Sequence, residues 1–429
     1  RLAGTADITA VTLAALKTFT LDLSPALSVT KVMVNGRRPA SFRSSAGKLH
    51  ITLAAALPTG AAMQIHIRYG GSPKPNHTIW GDVGFEELTN GVLVAGQPNG
   101  ASSWFPCDDH PTSKASYRIQ ISTETPYRAI ANGELVSRRV KAGMTSWTYD
   151  LVEPTSTYLI TLQIGEYQIR KLPKAPAPMQ AALPERLGRG FDQTFARQPL
   201  MMKLFTRLFG PYPLSTGYTV VVTDDNLEIP LEAQGISIFG ANHCDGTRRS
   251  ERLIAHELAH QWFGNSLTAA TWADIWLHEG FACYSEWLWS EASGGRSADE
   301  LAREHHRKLA ALPQSIRGYG HVKQASVATA RARQQGLLSA FLAADKDNNA
   351  DGGPEGGEWK YRPEIVKTFG DKDGIIDAVD DTKDIIAVLR NKQIALPGDI
   401  VFTEDPDGKH DYHSWSRQLP AFLVWAFGK

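Results

Sequence analysis

The sequence predicts a multidomain α+β protein, with an all-β domain over residues 1–167, an α+β domain over 168–320 and an unassigned, mildly acidic region over 321–429. Three observations lead there. Residues 1–167 are rich in segments of alternating apolar and polar character, separated by Gly, Pro and Asn turns, and largely lack helical periodicity. From about residue 168 strands and apolar helical patterns are mixed. After about residue 315 the pattern fades into a Gly- and Asp-rich stretch, 345–357. A chain of 429 residues is long enough for two or three domains with their own cores.

Within the first region, Thr18–Leu23, Gln64–Tyr69 and Tyr117–Ser122 read as strands. Pro173–Pro178 is expected to be a loop, Asp192–Leu208 one helix, and Tyr218–Val222 a central strand, followed by a strand-rich stretch that contains Glu232. Leu253, Ile254, Leu258, Trp262 and Phe263 mark a mostly buried helix with a C-terminal stop at Gly264-Asn265. Trp272–Ser290 reads as a second buried helix, and Val327–Ala344 as a further one.

The chemistry lies in those two buried helices. His256-Glu257-Leu258-Ala259-His260 places two imidazoles four residues apart, on one helix face, where both can address one ion. Glu279 follows after eighteen intervening residues. Two imidazoles and a carboxylate are a donor set for one catalytic zinc, with the fourth position left for water. Glu257 then stands where a general base could reach that water. Unpaired polar groups in a core cost roughly several kcal/mol, so a buried helix carrying this set needs a reason, which a metal supplies; the alternative is a surface helix with two solvated histidines. Glu286, two turns beyond Glu279, could accept a hydrogen bond from the outer nitrogen of a metal-bound histidine, or could be a partly solvated helix glutamate.

With these residues in view, the chain resembles the aminopeptidase-N-like zinc metallopeptidases of the gluzincin group. Further stretches carry the likeness: Ala95-Gly96-Gln97-Pro98, Trp104 through Pro111, Ala131-Asn132-Gly133-Glu134-Leu135 and Phe209-Gly210-Pro211-Tyr212-Pro213, together spanning about residues 1–315. The resemblance implies a saddle-like β-sandwich followed by a thermolysin-like catalytic domain. It implies one zinc ion on His256, His260 and Glu279, Glu257 as general base, and peptides with a free amino terminus as substrates. The family's amine-recognition strand corresponds to Ile229-Pro230-Leu231-Glu232-Ala233, which makes Glu232, assisted by Gln97, the expected holder of the substrate α-ammonium. The glycine, methionine and asparagine of the usual motif are missing. The family also places an oxyanion-stabilising tyrosine about sixty residues after the third ligand; here Ser339–Asp345 contains none, Tyr319 falls early and Tyr361 late. Losing one such donor costs about 3 kcal/mol of transition-state stabilisation. The alternatives are therefore a catalytically weak or inactive zinc-binding relative that holds peptides or proteins, or another zinc hydrolase, an endopeptidase or an epoxide hydrolase.

Composition narrows the partners. Forty-five basic and forty-five acidic residues cancel, which argues against nucleic acid or an anionic membrane as the main partner. No run of about eighteen apolar residues marks a transmembrane segment. The expectation is a soluble protein, cytoplasmic or secreted, with any signal peptide removed or not included before Arg1. Cys107, Cys244 and Cys283 lack CxxC spacing, so neither a zinc knuckle nor a disulfide framework is expected, and Cys283 should pack beside the metal site. Asn76-His77-Thr78 fits a glycosylation sequon only weakly. Asp345-x-Asp347-x-Asn349-x-Asp351 and Asp371-Lys372-Asp373-Gly374 resemble calcium loops but lack their required glycine and glutamate.

Overall fold

A computed structural model describes residues 1–78 and 81–310 of the chain, with side chains to residue 305, and all of these fall within one compact unit. Val327–Ala344, the two calcium-like loops, Tyr319, Tyr361 and the region 321–429 lie outside the described residues.

The N-terminal part is built from antiparallel strands. Leu2–Val11, Ala62–Gly71 and Leu27–Val34 form one three-stranded sheet, and Leu16–Asp22, Lys48–Leu57 and Ser41–Ser45 form another. Alternation puts Leu27, Val32, Leu49, Ile51, Ile65 and Ile67 into one apolar core shared by the two sheets. The Asn35-Gly36 turn closes its hairpin with both residues at positive φ, 49° and 73°, a conformation that Asn and Gly tolerate. A second pair follows: a three-stranded sheet of Lys114–Glu124, Met144–Ser156 and Glu134–Lys141, and a five-stranded sheet in the order Arg128–Ala131, Leu162–Gly165, Gly91–Ala95, Gly81–Leu88, Asn76–Thr78. Trp147, Tyr149, Leu151, Phe85 and Val94 fill the space between them.

After Gly165 the chain enters a different sheet. Its order is Gln168–Leu172, Met179–Leu183, Tyr218–Val222, Ile236–Phe239, Leu231–Ala233, with parallel pairing in the middle and antiparallel strands at both edges. Tyr218–Val222 reads as a nearly continuous apolar run because both of its faces are covered. Val220 and Val222 face a core made with the helices, and Val221 joins Ile236, Ile238, Leu93 and Ile130 on the face toward the N-terminal part. Burying a valine or isoleucine in this way stabilises by about 1.5–3 kcal/mol, so the sheet is held firmly from two sides.

Helices α1 (Gly188–Thr194), α2 (Gln198–Phe209), α3 (Glu251–Ala259), α4 (Trp276–Ala292) and α5 (Ala298–Ala310) complete the described part. The single helix expected over Asp192–Leu208 is two. Pro199 has no amide hydrogen for an interior helical bond, so it sits in the first turn of α2 and the chain breaks before it. Regular α-helix in α3 ends at Ala259 rather than Gly264, and His260 is its C-cap. The backbone then turns through Gly264, whose φ of +117° favours glycine, while Asn265 N–H donates to His260 O at 3.0 Å. The stretch expected as one helix over Trp272–Ser290 begins with a separate 3-10 turn, Trp272–Asp274, before α4. All three cysteines are free and buried. The Asn76 amide donates to Asn99 O and Ser102 Oγ, both at 2.9 Å, which engages the nitrogen a glycan would need. Among the described residues no helix is long and apolar enough to cross a membrane.

Candidate metal centre

Helices α3 and α4 pack side by side, with α3 resting through Ile254, Ala255 and Leu258 in the main apolar core. That packing turns the opposite face of α3, carrying His256 and the following His260, toward Glu279 in the first turn of α4. The Trp262 indole N–H points to Gly210 O and Pro211 O at 3.2 Å, which pins the end of this segment to the Phe209–Pro213 turn.

Three donor atoms converge here. His256 Nε2 and His260 Nε2 are 3.1 Å apart, and Glu279 Oε2 lies 3.2 Å from the first and 3.6 Å from the second. The outer nitrogens explain why this needs a cation. His260 Nδ1 lies 3.0 Å from the Phe263 carbonyl, which can only accept, so Nδ1 carries the proton and Nε2 presents a lone pair. His256 Nδ1 donates in the same sense to Glu286 Oε1 at 2.7 Å. Neutral rings held in this tautomer leave two lone pairs and a carboxylate facing one another in a buried place. Bonds of about 2.0–2.2 Å at tetrahedral angles set zinc donors about 3.3 Å apart, which the observed spacings bracket. The donors therefore fit a zinc ion.

Electrostatics point the same way. Burial opposes charge on His260, yet the carboxylates of Glu279 and Glu232 pull its pKa up to about 9. Burial likewise opposes charge on His256, and bonding to Cys283, Glu279 and Glu286 raises it well above its ordinary value. Glu279 is driven well below the carboxylate range; burial works against this, but His260 charge and the His256 bond prevail. The site demands positive charge. Among the described residues two other groups could hold an ion, His256 with Cys283 and Glu286, and Glu232 with Glu257 and His260. The former would break the 2.7 Å hydrogen bond and use a thiol whose pKa burial raises, and the latter shares His260.

Glu257 and Glu232 belong to the same cluster, with carboxylate oxygens within 4.8 Å of each other and of a His260 nitrogen. Burial pushes Glu257 up to about 8, and its Oε2 has no hydrogen-bond partner among the described residues. Burial raises Glu232 as well. Glu286 is buried, and its second oxygen takes the Arg252 guanidinium at 3.0 Å. Gln97 is half-buried and makes no side-chain hydrogen bond among the described residues. Its segment still reaches the neighbourhood: Gly96 packs so closely on the Tyr158 carbonyl that a Cβ there would stand 2.1 Å away. Tyr158, whose hydroxyl donates to Gly264 O at 3.2 Å, has its acidity suppressed by burial and then by Glu232 and Glu279.

Sequence reasoning missed Arg252, Tyr158 and His278. Arg252 stands four residues before His256 on one helix face, a local signal that could have found it. Tyr158 comes from the distant β-rich part and left no such signal. His278 is buried, accepts from Ala269 N–H at 2.8 Å, and is held near pKa 4, first by burial and then by His260. Cys283 Sγ lies 3.9 Å from His256 Nδ1, beside the site. The expected oxyanion tyrosine concerns only positions outside the described residues.

Comparison with known proteins places these features. The profile of the peptidase M1 N-terminal domain matches residues 14–159, and that of the peptidase family M1 domain matches residues 197–327. Human endoplasmic reticulum aminopeptidase 1 is 30% identical over 204 residues, which are 45% of this chain and 22% of the relative. Leucyl aminopeptidase of Saccharolobus solfataricus is 28% identical over 194 residues, 43% of this chain and 24% of that protein. The chain thus spans about a quarter of the length of the curated relatives it matches. The crystal structure of an M1 zinc metallopeptidase from Deinococcus radiodurans shares the fold, with a TM-score of 0.65 at 23% identity, covering 81% of this chain and 91% of that one. With an N-terminal β-rich domain and an α+β catalytic domain matched in order along the sequence, the chain belongs to peptidase family M1.

Proposed function

We propose that this chain is a zinc aminopeptidase that hydrolyses the first peptide bond of substrates with a free amino terminus. The observation that carries the reading is the meeting of three donor atoms, with their tautomers set from outside, and two further carboxylates, Glu257 and Glu232, in one buried cluster. His256, His260 and Glu279 would hold the ion. When bound, zinc supplies Lewis acidity, which acidifies water and polarises a carbonyl.

The other roles fall to the chain's own residues. Glu257 takes a proton from the attacking water and passes it to the leaving amine. Burial raises its pKa to about 8, and a dication held by the three ligands would draw that value down into the range of a base at neutral pH. Glu232 pairs with the substrate α-ammonium, which fixes how far the scissile bond lies from the amino terminus; Gln97 is proposed to assist. Glu286 and the Phe263 carbonyl keep the ligand imidazoles in the metal-binding tautomer. Relatives named as aminopeptidases support this substrate class. Turnover of a leucyl-arylamide tests it. Glu257→Gln should lose about 10²-fold or more in kcat while retaining metal, and equal rates for parent and variant would leave only a zinc-binding relative without catalysis.

A further inference from the structure

We propose that Gln261 is a positioning residue that fixes the distance between the Glu232 carboxylate and the metal ligands; this rests on the aminopeptidase reading above. Glu232 sits on Leu231–Ala233, a three-residue strand at the edge of its sheet. An edge strand has a neighbour on one side only, so its place along the other side must be set by something else. Here the side chain of Gln261, the residue after the second histidine, supplies it. Gly235 N–H donates to Gln261 Oε1 at 2.8 Å, and Gln261 Nε2–H donates to Ala233 O at 3.2 Å. The two bonds fall on either end of the turn that follows Glu232.

Gln261 is fully buried, and both ends of its amide are used on that strand and the turn after it. A second amide works with it: Asn265 Nδ2, also fully buried, donates to Ala233 O at 2.8 Å. The opposite flank is tied to the N-terminal domain. Gln234 N–H donates to Leu159 O at 3.1 Å, and Asn132 Nδ2 donates to both Gln234 O and Leu159 O, at 2.8 and 2.9 Å. The strand carrying Glu232 is thus gripped between the two domains, and the grip on the metal side comes from the residue next to His260. An aminopeptidase needs that spacing held within a fraction of a bond length, because an ammonium pinned in the wrong place carries the scissile carbonyl with it. A misplacement of about 1 Å can cost about a hundredfold in rate.

Two inhibitors of nearly one shape read this spacing: leucine hydroxamate and 4-methylpentanohydroxamic acid, which has hydrogen in place of the amine. Both carry the zinc-binding group, and only the first carries the ammonium. For the zinc-loaded full chain, the ratio of their inhibition constants measures amine recognition alone. Gln261→Met keeps the side-chain length and deletes both bonds. The expected result is a fall in that ratio of about tenfold or more, a fall in kcat for a leucyl-arylamide at least as large as any rise in KM, and unchanged zinc content and affinity for the amine-free inhibitor. A ratio that stays at the parent value, or equal weakening of both inhibitors, overturns the proposal. Should Gln261→Met not fold, Gln261→Glu, which keeps the acceptor for Gly235 and removes the donor to Ala233, is judged by the same ratio. A parent ratio near one overturns the aminopeptidase reading and the proposal with it, whereas a large parent ratio that survives substitution overturns the proposal alone.

Discussion

Replacing Glu286 with alanine should weaken zinc binding through a residue that never touches the ion. In the metal-bound state His256 must carry its proton on Nδ1, and that proton is given to Glu286 Oε1 at 2.7 Å in a place where the carboxylate is only 3% exposed. Alanine leaves a buried N–H without an acceptor, at a cost of about 1–3 kcal/mol. The metal-free protein escapes most of this cost, because without Glu286 the ring can release the Nδ1 proton and keep the one on Nε2, which faces Glu279. The penalty therefore falls on the bound state, and affinity should drop about five- to 150-fold. Arg252, the other partner of Glu286, is 36% exposed and can turn to water, so it adds little. Glu286→Gln keeps an acceptor but loses its charge. The difference between charge-assisted and neutral hydrogen bonds is about 1 kcal/mol, which is about a fivefold loss. Competition with a chromophoric chelator at pH 7 measures both constants. An alanine variant that binds zinc within twofold of the parent, or a glutamine variant weaker than alanine, would refute the reasoning.

Two further outcomes follow from the described structure. Burial raises Asp109 to about 6, above its ordinary value near 3.8, even though Ser102 N–H and the Thr157 hydroxyl donate to it. The folded state then keeps a proton that the unfolded chain has released, so stability from this group falls as pH rises from about 4 to 6 and stays low above that. Asp109→Asn should show a smaller loss of Tm between pH 4.5 and pH 7 than the parent, and a larger loss would refute the sign. Phe239 is fully buried and meets Phe195 edge-on at 5.1 Å, in the core that backs α3. Phe239→Ala should cost about 3–5 kcal/mol in chemical denaturation, and a loss below about 1 kcal/mol would contradict the packing described.

Much of the metal site was legible because its parts are local. His256 and His260 need only the repeat of a helix to share a face, Glu257 adjoins the first of them in sequence, and Glu279 and Glu286 need only the repeat of the next helix. Strands such as Tyr218–Val222 were legible because burial on both faces leaves an unbroken apolar run. Helix ends were read less well. The break before α2 depended on giving Pro199 weight as a helix start, and the end of α3 at Ala259 depended on a turn that lets the Phe263 carbonyl reach back to His260. Gln97 lies in a segment that packs on Tyr158 through Gly96, but nothing local says where its amide points.

By itself the sequence singled out candidate groups for holding a metal and a candidate carboxylate for moving a proton, because side-chain chemistry and helical spacing travel with the chain. Tertiary structure alone decided how those groups are held. The Phe263 carbonyl, the Arg252–Glu286–His256 chain, and the amides of Gln261, Asn265 and Asn132 around Glu232 join segments up to 102 residues apart. The physical reason is that a hydrogen bond is satisfied by position in space, and in a core that excludes water each buried donor must find its acceptor wherever folding brings one.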